Sequence, residues 1–196
     1  MSATNQIRSF TESKIQNILK STNDSAARAT LAKLRRGIGH NPGELPEIWG
    51  EYLLGMPEEL LGRGSEISCA EWAVYTSLTF FAFHQQGKDR KSQPMHCAGI
   101  SLGTAAARLI HKEDEDRERI SRRFYPAATA TDMIELNHHL RGLVSLLRSE
   151  DIPLDYARLA SDLFLFQSPD FADSIRLRWG EDFCRIQFEK DSEEKG

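Results

Sequence analysis

The side chains best able to do chemistry in this sequence are six histidines, three cysteines and a set of arginines and lysines. The histidines form no HExxH motif and no pair at four-residue helical spacing, and no Cys/His cluster has metal-ligand spacing. His96-Cys97 can offer two ligands, but no near neighbour supplies a third and fourth. His138 and His139 are adjacent and leave a helix in different directions, as polar surface residues do. No GxSxG nucleophile elbow, Walker loop or GxGxxG turn occurs. No catalytic residue, metal or cofactor is therefore expected. A hydrolase built on carboxylates from distant segments stays open as an alternative, and a divalent-metal-dependent activity screen would reveal it.

The cations are more informative, because a basic residue with an acid one turn away is partly neutralised. Arg119 has Glu115 and Arg122 has Glu118 at that spacing, which describes a solvated face. Lys33, Arg35, Arg36, Arg108, Arg123 and Arg141 have no acid four residues away on either side. Three basic patches follow at 100° per residue. Arg28, Lys33, Arg35 and Arg36 spread over the arc opposite the apolar stripe Ala27, Leu31, Leu34 and Ile38. Ser101, Thr104, Arg108, His111 and Lys112 form a second stripe, with Gly103 allowing close backbone approach. Arg141 and Arg148 lie two turns apart on one face. Hydroxyls beside arginines suit phosphate oxygens, which need donors and charge but no base-specific geometry.

Helices must position these residues. Apolar residues recur at three- and four-residue intervals, and no alternating Val/Ile/Thr-rich run appears. The pattern predicts helices over about 5–20, from Ser25 to a stop at Gly37, and briefly after Pro46. Ser68 and Glu71 form a capping box ahead of AVYTSLTFFAF, which is apolar nearly all round and belongs at the centre of a bundle. Gln85 to Pro94, QQGKDRKSQP, reads as a boundary. Beyond it, helices are predicted over about 98–112, 115–125 ending at Pro126, and 132–148 with Leu136, Leu140, Leu143 and Leu147 facing a core. Asp155 caps the next, and a last one follows Ser168-Pro169. The fold class is all-α, with two small helical bundle subdomains packed together. They span 1–87 and 95–188, with a linker at 88–94 and an acidic, frayed tail at 189–196.

Composition sets the outer bounds. A chain of 196 residues with 40% hydrophobic content can bury a core. No run approaches the roughly 20 apolar residues that span a bilayer, and the first residues lack a secretory apolar region, so a cytoplasmic location is expected. Cys69, Cys97 and Cys184 lie far apart without a CxxC pair and read as reduced core residues. A formal net charge of -4 argues against a protein that coats nucleic acid through bulk positive charge, so any such contact is local.

Several segments together resemble a known family: Ala26-Ala27-Arg28-Ala29 through Leu34-Arg35-Arg36; Gly99-Ile100-Ser101-Leu102-Gly103; Arg122-Arg123-Phe124; and Leu140-Arg141-Gly142-Leu143 with the stretch from Leu154-Asp155-Tyr156 to Asp162-Leu163. Their order and spacing, over about residues 8 to 188, are similar to the small subunit of the type I-E CRISPR surveillance complex Cascade, the CasB family. The aromatic after the Asp-Leu pair, usually tryptophan in that family, is Phe166 here, a swap expected to affect packing. The resemblance implies a non-catalytic helical protein, present as two copies beside the backbone subunit CasC and the large subunit CasA. It implies contacts with target DNA and the displaced strand that stabilise the R-loop opened by guide RNA. The residues expected to make them are Arg28, Lys33, Arg35, Arg36, Arg108, Lys112, Arg123, Arg141 and Arg148. A helical adaptor that binds only protein is the competing expectation.

Overall fold

The computed structural model describes residues 1–64, 66–111 and 113–193, without the side chains of 113, 114 and 186–193. Its centre is α4 (Cys69–His84), whose start is fixed by the expected capping box. Ser68 Oγ accepts from the Glu71 N–H at 3.0 Å, while Glu71 Oε2 accepts from the Ser68 N–H at 2.7 Å. Being apolar on every side, α4 is covered by α1 (Ala3–Leu19), α2 (Asp24–Arg36), α7 (Met133–Ser149) and α8 (Tyr156–Phe166). A 3-10 turn at Pro46–Ile48 leads into the short α3 (Trp49–Tyr52), and α5 (Leu102–Arg108), α6 (Glu113–Thr129) and α9 (Pro169–Glu193) complete nine helices among the described residues. No strand occurs among them beyond an isolated bridge between His96 and Leu154. One hydrophobic cluster runs from Ile7 to Phe183.

Several polar groups inside this core are joined. The Tyr156 N–H donates to His96 Nδ1 (3.1 Å), its carbonyl accepts from Ser77 Oγ (2.5 Å), and its hydroxyl meets His84 Nδ1 (2.9 Å). The start of α8 is thereby tied to α4. Arg90, in the segment between α4 and α5, is only 7% exposed. It donates to the carbonyls of Ile18 (3.1 Å), Leu19 (2.5 Å) and Ser21 (2.6 Å) and to the Asp24 carboxylate. One guanidinium thus satisfies the open C-terminus of α1 and anchors the first turn of α2.

Several expectations are corrected. The helix expected over 98–112 is confined to Leu102–Arg108, because Ser101 caps it by accepting from the Thr104 N–H at 3.1 Å. α6 does not stop at Pro126 but continues to Thr129. The carbonyl left without a donor by the proline is that of Arg122, an exposed residue, so it is not stranded in the core. The three cysteines are free, as expected, but exposed and not in the core: each sits on the outward side of its helix or loop. Gly37 does follow α2, with an ordinary helical φ of -68°. A Cβ there would lie 2.6 Å from Thr79 Cγ2 and 2.8 Å from the Tyr75 hydroxyl, so the glycine serves the close approach of α2 to α4. Phe166, where the resemblance implies a tryptophan, stacks on Trp179 at 5.9 Å between ring centroids. Of the acidic tail expected to fray at 189–196, the backbone of 189–193 continues α9 and the rest lies outside the described residues.

Candidate nucleic-acid interface

α2 and α7 both pack on α4, and recesses open beside each. The first, about 420 Å³, lies between α2 and the turn Gln85–Lys91. α2 contributes Asp24, Arg28, Leu31 and Arg35, spaced so that all share one face. Five cations and two carboxylates line it. Most are committed: Lys91 lies 3.5 Å from Asp24, Lys88 pairs with Asp151, and Arg90 makes the bonds described above. Hydrogen bonding from Arg90, reinforced by the charge of Lys91, holds the Asp24 carboxyl below its usual range. Asp89 Oδ1 accepts from the N–H groups of Lys91 and Ser92 and shapes the turn. Among the described residues, Arg28 and Arg35 have no ion-pair partner. Burial pulls the Arg35 guanidinium below its ordinary value, as expected of a partly desolvated cation.

The second recess, about 220 Å³, is lined by Ile38 to Asn41 after α2, by Phe80, and by Ile134, Asn137, His138 and Arg141 of α7. Arg148, two turns along α7 from Arg141, links the two: its guanidinium lies over the Phe83 ring at 4.8 Å and donates to Gln86 Oε1 at 3.1 Å, and Gln86 lines the first recess. Arg28 and Arg35 thus line one recess and Arg141 the other, with Arg148 between them on Phe83 and Gln86. Lys88 and Lys91 also line the first, and these were missed because QQGKDRKSQP reads as a connector. Its density of cations was the available signal.

The remaining expected residues lie elsewhere. Lys33 is not unpaired: it contacts Glu51 at 3.0 Å, an acid eighteen residues on that helical spacing cannot reveal. Arg36 is exposed and lines neither recess. Arg123, on α6, reaches toward Gly142 on α7. Arg108 is exposed at the end of α5, and Lys112 lies outside the described residues. The proposed stripe around Arg108 is broken, because Ser101 is 1% exposed and serves as a cap. Gly103 admits protein: a Cβ there would lie 2.1 Å from the Trp179 carbonyl oxygen of α9. Arg119 pairs with Asp116 at 2.9 Å and not with Glu115, whereas Arg122 pairs with Glu118 at 2.5 Å as expected.

The fold also gathers Glu12, His96 and Asp155, a set that sequence spacing hid. Their donor atoms are engaged. Because His96 Nδ1 accepts the Tyr156 N–H, its hydrogen sits on Nε2, 2.9 Å from Glu12. Asp155 accepts from the N–H groups of Gly99 (2.8 Å) and Arg158 (2.8 Å) and from Arg8 (3.3 Å). Chemically this is a joint between α1, α8 and the approach to α5, with no lone pair on His96 turned to a metal.

Residues 30–183 match the CRISPR-associated protein Cse2 family. This chain belongs to the Cse2, or CasB, family. The crystal structure of CasB from Thermobifida fusca is similar over 91% of this chain and 97% of that one, with 32% identity and a TM-score of 0.75. CasB from M. ruber shares the fold at 19% identity and a TM-score of 0.66, over 93% of this chain and 97% of its own. So does a chain of a CRISPR RNA-guided surveillance complex, at 20% identity and a TM-score of 0.69, over 97% and 99%. No curated protein sequence matches significantly. No helix among the described residues of this Cse2-family chain is long and apolar enough to cross a membrane.

Proposed function

We propose that this Cse2-family protein is the non-catalytic small subunit of a type I-E Cascade complex and holds nucleic acid across the two recesses beside α2 and α7. The observation that carries the reading is the presence of arginines from α2 and α7, none of them in an ion pair among the described residues, at recesses flanking one helix. Its partners are CasC, CasA, a second copy of itself, guide RNA and target DNA. Phosphate contacts of this kind are independent of sequence and suit a strand whose identity is read by pairing to a guide. R-loop formation exchanges one duplex for another of similar stability, so modest protein contacts are enough to tip it. The net charge of -4 is compatible with this role, because the assembly supplies much of the affinity.

The test is R-loop formation by the reconstituted complex across a salt series. Arg35→Ala and Arg141→Ala should each weaken target binding and lower the salt slope by about one, without altering which sequences are preferred. Arg119→Ala, which removes a cation already paired with Asp116, should change little. Unchanged affinity and slope in both variants, or a chain that fails to co-purify with its partners and guide, would sink the proposal.

A further inference from the structure

The recess between α2 and the Gln85–Lys91 turn is a concavity and not a flat basic face. A row of arginines on a flat helix face would grip a backbone equally well, whereas this one surrounds about 420 Å³ of space, within the range of pockets that enclose small organic groups. Its two unpaired cations, Arg28 and Arg35, are seven residues apart, so about 10 Å of helix axis separates their Cα atoms. Between them on the same face lies Leu31, an apolar floor. The opposite wall is polar and held in place by bonds of its own. Gln85 donates to the carbonyls of Lys88 (3.3 Å) and Gln93 (3.1 Å) and accepts from the Met95 N–H (2.9 Å), and Arg90 is locked onto α1. Nothing lies within 4 Å of where a Gly87 side chain would begin, so the mouth of the recess is open at that point. A pocket with an apolar floor, a hydrogen-bonded polar wall and an unpaired arginine on either side of that floor, its Asp24 carboxylate already held by Arg90 and Lys91, matches one nucleotide: a flat base flanked by two phosphates.

We propose that this recess receives a single unpaired nucleotide of a strand, with its flanking phosphates at Arg28 and Arg35 and its base over Leu31 against the Gln85–Lys88 turn. The assignment rests on the nucleic-acid reading above and narrows it to unpaired nucleotides, since a base held in a duplex cannot leave its stack without losing pairing and stacking free energy. The same chemistry is carried by a free nucleoside phosphate, which offers one phosphate and not two.

Fluorescence anisotropy on the full-length chain, at low salt, separates these cases using four probes: a labelled single-stranded oligonucleotide, the same strand with abasic sites throughout, the matching duplex, and the mononucleotide as competitor. The intact single strand should bind about tenfold more tightly than the abasic strand, the scale of one base contact. It should also outbind the duplex, and the mononucleotide should compete poorly. Arg28→Ala and Arg35→Ala should each weaken the intact strand, and neither residue packs in the core. Equal binding of intact and abasic strands, or of single strand and duplex, overturns the nucleotide recess. If the arginine variants still weaken binding in that case, the interface of the preceding section stands without it. If a mononucleotide competes as well as the strand, the recess is a free-nucleotide site and the proposal is wrong. Binding by no probe at low salt overturns the nucleotide recess, and the interface of the preceding section then stands or falls on its own test in the assembled complex.

Discussion

A side chain's chemistry here is decided by neighbours that spacing does not show. His84 is the clearest case. It is fully buried, and burial lowers its pKa from 6.5 to about 4, with its Nδ1 held 2.9 Å from the Tyr156 hydroxyl. The folded state therefore binds its proton more weakly than the unfolded chain does. Stability is fully present above pH 6.5, is lost as pH falls from 6.5 toward 4, and then levels off. The total is about 3 kcal/mol. Urea midpoints measured at pH 7 and pH 5 should differ more for the wild type than for His84→Asn, and identical differences would remove His84 as the source. Of the arginines, Arg28, Arg35, Arg141 and Arg148 could be marked from sequence because helical geometry fixes which residues share a face. The Lys33–Glu51 pair and the Glu12, His96 and Asp155 joint could not, because their partners lie 18 to 147 residues away. Spacing reaches one turn, and tertiary contacts do not respect it.

At the scale of elements, caps were legible and close packing was not. The Ser68–Glu71 box and the Asp155 cap are local, so the pattern of residue types was sufficient. Ser101 belongs to the same class, yet the pattern puts it on a polar stripe because it starts the helix about four residues before Leu102. Its burial against neighbouring elements had no signature in the chain. Pro126 was read as a terminator on the strength of its missing N–H. That loss is tolerated where the affected carbonyl faces outward. Gly103 makes the point testable. As a surface glycine it would accept alanine at little cost, but here the new Cβ meets the Trp179 carbonyl at 2.1 Å and the Phe183 nitrogen at 2.9 Å, both backbone atoms that cannot swing aside. Gly103→Ala should force α5 and α9 apart and destabilise the protein by about 1–3 kcal/mol, the scale of overpacking. Gly142→Ala is the control, because its nearest neighbour is the flexible end of Arg123 at 3.7 Å. Equal thermal midpoints for the two variants would show that the helices yield without strain.

The whole molecule raises the question of how its two halves depend on each other. We propose that the subdomains expected at 1–87 and 95–188 are thermodynamically one unit, since α1 and α4 from the first bury their apolar faces against α8 from the second. The 88–94 segment contributes through Arg90, which closes the end of α1 with three carbonyl contacts and fixes Asp24 at the start of α2. Arg90→Met keeps most of the side chain's volume and removes every donor. The carbonyls of Ile18, Leu19 and Ser21 then lose their partner in a site with little access to water, at a cost of about 3 kcal/mol. That loss falls on the first half alone, so it discriminates between the two cases. If the halves share one folding transition, far-UV circular dichroism and the fluorescence of a chain retaining only Trp179, which lies in α9, should shift to lower urea together. A Trp179 signal that keeps its wild-type midpoint while the helical signal moves would mean the second half stands alone. The same measurement bears on function, because the first recess is built from α2 and the Gln85–Lys91 turn that Arg90 joins. Loosening that joint should weaken single-strand binding even where Arg28 and Arg35 are intact.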